Sequence, residues 1–136
     1  MSTLSTDPIL SCEESLAFEK DFFQGDEERE WQAMTKAGEG VGDALLRDMR
    51  ELRTIPPRPR ILALVGKGHN GGDALIATQR FLRTIPTARA VVLPLAEWDD
   101  CRPLTRRAWG ELKESAEKRI QVMDPGNNPV TELEQA

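Results

Sequence analysis

One stretch constrains this chain more than any other: Val65-Gly66-Lys67-Gly68-His69-Asn70-Gly71-Gly72-Asp73-Ala74, set between the strand-like run Ile61-Leu62-Ala63-Leu64-Val65 and the helix-like run Ala74-Leu75-Ile76-Ala77. Four glycines fall within the seven positions 66–72. Backbone without β-carbons can turn sharply and bring its amides close to a ligand. A strand that runs through such a loop into a helix has the geometry of a nucleotide site.

The flanking segments place that loop in an alternating pattern. Leu16, Phe18, Phe22 and Phe23 recur at helical spacing, and Ser11 with Glu14 three residues on is a capping box, so a first helix is expected from Ser11 to about Gln24. After Gly25-Asp26 a second helix is expected to about Arg53, with Trp31, Met34, Gly38, Val41, Leu45, Met49 and Leu52 on one stripe. Two glycines one turn apart in it, Gly38 and Gly42, each cost about 1 kcal/mol relative to alanine, which points to a close approach by another backbone. Ile55-Pro56-Pro57-Arg58-Pro59 is a stiff connector, because proline lacks the amide donor and restricts its predecessor.

Then follow a strand over Arg60 to Val65, a helix from about Gly72 to Ile85 and a strand over Ala88 to Leu95, a unit of the length that makes a right-handed parallel crossover. Leu104, Ala108 and Leu112 share one face of a helix after Pro103; Arg119 to Met123 reads as a third strand, 124–129 as a turn and 130–136 as one or two helical turns. The expected fold is α/β, a three-layer Rossmann-like arrangement with a parallel sheet flanked by helices. A chain that stops in a helix leaves the sheet with an open edge, so truncation at the C-terminus is also expected.

At 136 residues with 39% apolar side chains, one domain and one modest core are expected. Eighteen basic against 23 acidic residues give a formal net charge of -5, which provides no global field for nucleic acid or anionic lipid. Neither a signal-peptide pattern nor a bilayer-length apolar run is present, and Cys12 and Cys101 lie far apart, so a reducing, cytoplasmic setting with no membrane is expected. Trp31, Trp98 and Trp109 read as core or interface, and Arg102, Arg106 and Arg107 as a solvated helix face.

Gly66-Lys67-Gly68-His69-Asn70-Gly71 satisfies the dinucleotide fingerprint in the letter, with Glu97 as the distant acid. Asp73 argues against a dehydrogenase, because a carboxylate in the first helical turn repels a pyrophosphate placed there. A Walker A loop fails as well, since Gly72-Asp73 stands where lysine and a hydroxyl are required. What remains is an imidazole (His69), an amide (Asn70), a carboxylate (Asp73) and backbone amides, a set that can hold hydroxyls and phosphate oxygens, with the Asn70 oxygen able to ligate a hard cation.

The segment from Ile61 to Leu82, centred on these residues, resembles the G-x-G-N-N-G-G-D-G signature of the NAD(P)H-hydrate epimerases, the YjeF N-terminal domain family. Upstream, Glu14 and Phe18, then Met34 with Ala37-Gly38, resemble the family's leading helices and its L-M-x-x-A-G element, so the likeness runs from about Ser11 to Leu95. It implies an isomerase of nicotinamide nucleotide repair that interconverts the R and S epimers of hydrated NADH and NADPH. It further implies cofactor contact by His69, Asn70, Gly71, Gly72 and Asp73, and a potassium ion (K+) bound by Asn70; the catalytic acid and base are not identified. His69 stands where asparagine is usual and Ala74 where glycine is usual. The family's aspartate-bearing strand with its G-t-G-l loop, and its D-x-P-S-G segment, do not occur before Ala136. Residues 1–136 are therefore expected to be the N-terminal portion of such a domain, inactive alone, with a homodimer and a dehydratase domain in a longer chain as the partners the resemblance brings. The rival expectation is a non-catalytic scaffold of the same fold, to which the altered His69 lends weight.

Overall fold

Three prolines in four positions, Pro56, Pro57 and Pro59, divide a long helix from the first strand, as the missing amide donors require. A computed structural model of the chain describes residues 8–124, so the segment expected as helical turns at 130–136, and nearly all of the expected turn at 124–129, lie outside the described residues. The elements are α1 (Cys12–Phe23), α2 (Glu27–Leu52), β1 (Arg60–Val65), α3 (His69–Thr84), β2 (Arg89–Pro94), α4 (Pro103–Ala116) and β3 (Ile120–Val122), with single-turn helices at Trp98–Asp100 and Glu117–Arg119. Two compact units divide the chain, Met1–Gln32 and Ala33–Ala136.

In the first unit, α1 starts as its sequence dictates. Ser11 Oγ accepts from the Glu14 amide at 3.2 Å, and the Glu14 carboxylate accepts from the Ser11 amide at 2.7 Å. Those bonds pull the Glu14 carboxyl below its usual range. The helix ends where Gln24 and Gly25 take left-handed backbone, φ 52° and 75°. Phe18 and Phe22 stack 5.8 Å apart on it and both stay exposed.

The second unit is a Rossmann-like α/β arrangement: a three-stranded parallel sheet in the order β1-β2-β3, flanked by helices. Arg60 pairs with Arg89 and Val65 with Pro94 along the first strand pair, and Ala90 pairs with Ile120 in the second. β1 alternates, with Ala63 and Val65 buried and Leu62 and Leu64 exposed at 44% and 55%. β2, between two neighbours, is buried from Ala90 to Pro94. α3 packs on β1 and β2 and against α4, and Leu75, Phe81, Leu82, Val92 and Leu112 are fully buried. Each such side chain contributes roughly 1.5–3 kcal/mol over its exposed state. Gln79, buried on α3, donates to the Glu111 carbonyl at 3.2 Å and to Ser115 Oγ at 3.0 Å, so the helix pair is joined by polar bonds as well.

The close approach expected at Gly38 and Gly42 is present, and the helix runs through both without a break. A β-carbon on Gly38 would stand 2.6 Å from Ile76 Cβ, and one on Gly42 would stand 2.9 Å from Arg80 Cβ, so α2 and α3 cross on a ridge that has no side chains. The expected apolar stripe is displaced. Met34, Gly38, Gly42 and Leu46 are buried, whereas Val41, Leu45 and Leu52 are exposed. The interface follows the i, i+4 row of small residues because that row allows the closest helix approach. An exposed ion pair, Arg80 Nε to Asp43 Oδ1 at 2.7 Å, flanks it.

Gly38→Ala should lower the unfolding free energy by about 1–3 kcal/mol, through overpacking against Ile76. Gly40→Ala, whose methyl enters open space, should raise it by up to about 1 kcal/mol through helix propensity. Urea melts of the two variants check this, and equal effects would show that the crossing tolerates a side chain.

Candidate functional site

α3 begins at His69, three residues earlier than its apolar spacing suggests, so half of the expected loop is the helix's first turn. The turn between β1 and α3 is only Gly66-Lys67-Gly68. None of its residues takes a positive φ; Gly68, the N-cap, is extended with φ -89° and ψ -174°. A β-carbon on Gly66 or Gly68 would meet nothing within 4 Å among the described residues. Packing among the described residues does not need glycine at either place. Space is left there, on the outside of the turn.

Gly71 and Gly72 are glycines for a different reason. A β-carbon on Gly71 would collide with the Gly66 carbonyl oxygen, and one on Gly72 would lie 2.6 Å from Met34 Sδ. Both residues are buried. The five residues singled out in the sequence are thus sorted by helical rotation: Gly71 and Gly72 face the protein, Asn70 is exposed, and His69 and Asp73, one turn apart, are half-buried. No side chain among the described residues caps the start of α3. The amides of His69 and Asn70, which a helix start leaves without intrahelical partners, find no other acceptor among the described residues. They and the helix dipole favour an anion.

Asp73 lies in the second turn, one turn further from the helix start than expected, which removes part of the repulsion argued from the sequence. Burial raises its carboxyl above the usual aspartate range, and the nearby His69 acts against that rise. No hydrogen-bond donor among the described residues reaches the carboxylate. It is held half-desolvated and ready to accept from a ligand hydroxyl.

The start of α4 forms the other wall, which the sequence did not reveal. The Arg102 amide donates to the Lys67 carbonyl at 2.9 Å, and the Thr105 hydroxyl, fully buried, donates to the Gly68 carbonyl at 2.9 Å. A second helix start without a side-chain cap is thereby tied to the glycine turn. Arg102 Nη1 lies 3.4 Å from His69 Nε2. Arg102, read as part of a solvated basic face, is at the site, and its neighbour Pro103 at the first helical position was the signal available. Trp98, which follows β2, stacks on Trp109 at 4.4 Å with planes 2° apart. Glu97 sits exposed at the start of that segment, where its carbonyl, not its carboxylate, accepts from Asp100 and Cys101.

Donor chemistry at the turn is oxygen and nitrogen without sulfur, and no group of three or more His, Cys, Asp or Glu gathers among the described residues. The Asn70 amide and Asp73 carboxylate are hard oxygen donors of the kind an alkali or alkaline-earth ion accepts. No helix among the described residues is long and apolar enough to cross a membrane.

A Rossmann-like sheet with an uncapped helix start at the end of its first strand belongs to the nucleotide-site class of α/β proteins. Within that class, residues 30–132 match the family described as YjeF-related protein N-terminus, and the chain belongs to that family. No individual curated protein matches it.

Asp73→Asn tests the electrostatics. A carboxyl whose folded pKa is raised adds stability below its ordinary pKa and loses it as pH rises through the folded value, so ionised Asp73 weakens the fold at neutral pH. The asparagine variant should be the more stable protein at neutral pH, and its advantage should disappear in acid. Urea midpoints compared across pH decide it; an advantage independent of pH would mean that desolvation is not the cause.

Proposed function

We propose that this chain serves as the nucleotide-holding part of an NAD(P)H-hydrate epimerase, interconverting the R and S epimers of hydrated NADH and NADPH. The observation that carries the reading is the turn 66–68, where glycines the fold does not require leave an open cradle at an uncapped helix start. Membership in the YjeF-related family supports it. In this reading the His69 and Asn70 amides take phosphate oxygens, Asp73 accepts from a ribose or ring hydroxyl, and Gly71 and Gly72 contribute by letting the backbone approach. Arg102 joins His69 on the anion side.

Potassium fits the donor type of Asn70, whose amide oxygen would be one of its ligands; the ion would add fixed positive charge beside the nucleotide. A stereospecific dehydratase and a second copy of the chain are the partners this activity would use.

Titrating the protein with hydrated NADPH should show saturable binding, weakened at least about tenfold by Asp73→Ala through loss of the hydroxyl's acceptor. In a longer chain that also carries the family's aspartate-bearing strand and D-x-P-S-G segment, epimer interconversion, followed chromatographically, should run faster than in buffer and faster with potassium than with sodium. Asn70→Ala should remove the potassium response. Absence of binding sinks the proposal. Binding without interconversion in that longer chain favours the second reading, a non-catalytic scaffold, which the His69–Arg102 approach at an altered family position supports.

A further inference from the structure

At the other end of the sheet, about 17 Å from the glycine turn along β1, lies a cavity of about 90 Å³ lined by Arg60, Arg89, Lys118, Arg119 and Gln121 over a floor of β2 and β3. Four of these side chains are cationic, and no carboxylate among the described residues joins them. In a chain with 23 acidic and 18 basic residues, such a lining runs against composition.

Register creates the arrangement. Arg60 is the direct cross-strand partner of Arg89, and Arg119 precedes Ile120, the partner of Ala90. Three arginines therefore stand at the starts of three adjoining strands. Like charges side by side on neighbouring strands repel. Arg119 is held in place by backbone carbonyls alone: Leu82 at 2.8 Å, Pro86 at 3.2 Å and Ile85 at 3.3 Å. Carbonyls orient its guanidinium without cancelling its charge. Arg60, Arg89 and Lys118 make no hydrogen bond or ion pair among the described residues. Arg119 has a structural return in those carbonyls at the end of α3, whereas Arg60, Arg89 and Lys118, all exposed, have none among the described residues. Where local chemistry opposes the fold without a structural return, a ligand is the usual compensation.

We propose that this cavity is a second ligand site, which binds the phosphoryl group of a small phosphorylated molecule. Guanidinium forks match tetrahedral oxyanions in paired hydrogen bonds, and Lys118 and Gln121 supply further donors. A single carboxylate would offset only one of the four charges. A cavity of about 90 Å³ accepts a phosphoryl group and a few neighbouring atoms, whereas a nucleic acid or an anionic membrane needs an extended surface. The site stands on its own residues and does not depend on the epimerase reading.

Calorimetric titration of the protein with inorganic pyrophosphate, orthophosphate and ADP at low ionic strength tests it. Saturable binding of pyrophosphate is expected, weakened at least about tenfold by Arg89→Gln and by Lys118→Gln, as loss of one charge-assisted bond implies, and weakened by added salt. Arg47→Gln, which removes the same charge from an exposed position outside both sites, should leave it unchanged. Without ligand, Arg89→Gln should melt no lower than the parent protein, because it removes repulsion. ADP binding as tightly as pyrophosphate would point to a nucleotide as the source of the phosphoryl group; preference for pyrophosphate would point to a free inorganic anion. The proposal is overturned if none of the three anions binds saturably, if binding is indifferent to Arg89→Gln, or if Arg47→Gln weakens it as much as Arg89→Gln does. It is equally overturned if a DNA duplex or phosphatidylserine vesicles bind while pyrophosphate does not.

Discussion

Helix α3 is held on several sides by contacts that leave no room for a side chain. Its first turn passes against the Gly66 carbonyl at Gly71, and Gly72 lies under Met34. Further along, α2 crosses it at Gly38 and Gly42. Close packing of this kind has almost no slack, because neighbours cannot shift by the width of a methyl group without losing contacts elsewhere. The helix start is therefore fixed in position relative to β1, and the outward residues His69, Asn70 and Asp73 are fixed with it.

That rigidity makes the electrostatics of the turn useful. The free amides and positive dipole of α3 are joined by the start of α4, fastened through Arg102 and the buried Thr105 hydroxyl. Asp73 is the opposing element, a carboxylate partly withdrawn from water, offset in part by His69 and without a hydrogen-bond donor among the described residues. A fold optimised for stability alone would place a neutral side chain there.

Much of this was legible from residues in order. The strand-turn-helix unit follows from an apolar run meeting glycines and then a helical pattern, and the capping box at Ser11 and Glu14 forms as its spacing implies. Gly38 and Gly42 announced a helix crossing because their cost in a helix needs a return. The start of α3 was misplaced because Asn70, Gly71 and Gly72 are poor helix formers, and tertiary contacts with Gly66 and Met34 override that propensity. The α2 stripe was misjudged for a related reason. Apolar spacing selects Val41 and Leu45, but approach distance selects the glycine row, and the larger side chains stay in water.

Local chemistry by itself determined the alternation of strands and helices, the glycine turn and the identities of the polar groups near it, since each depends on residues close in sequence. Tertiary structure alone decided which of those glycines serve packing and which leave space. It also brought Arg102 and Thr105 to the turn from more than thirty positions away, and set arginines side by side across the starts of separate strands. Register and helix rotation carry that information, and both are fixed only when distant segments compete for the same buried surface.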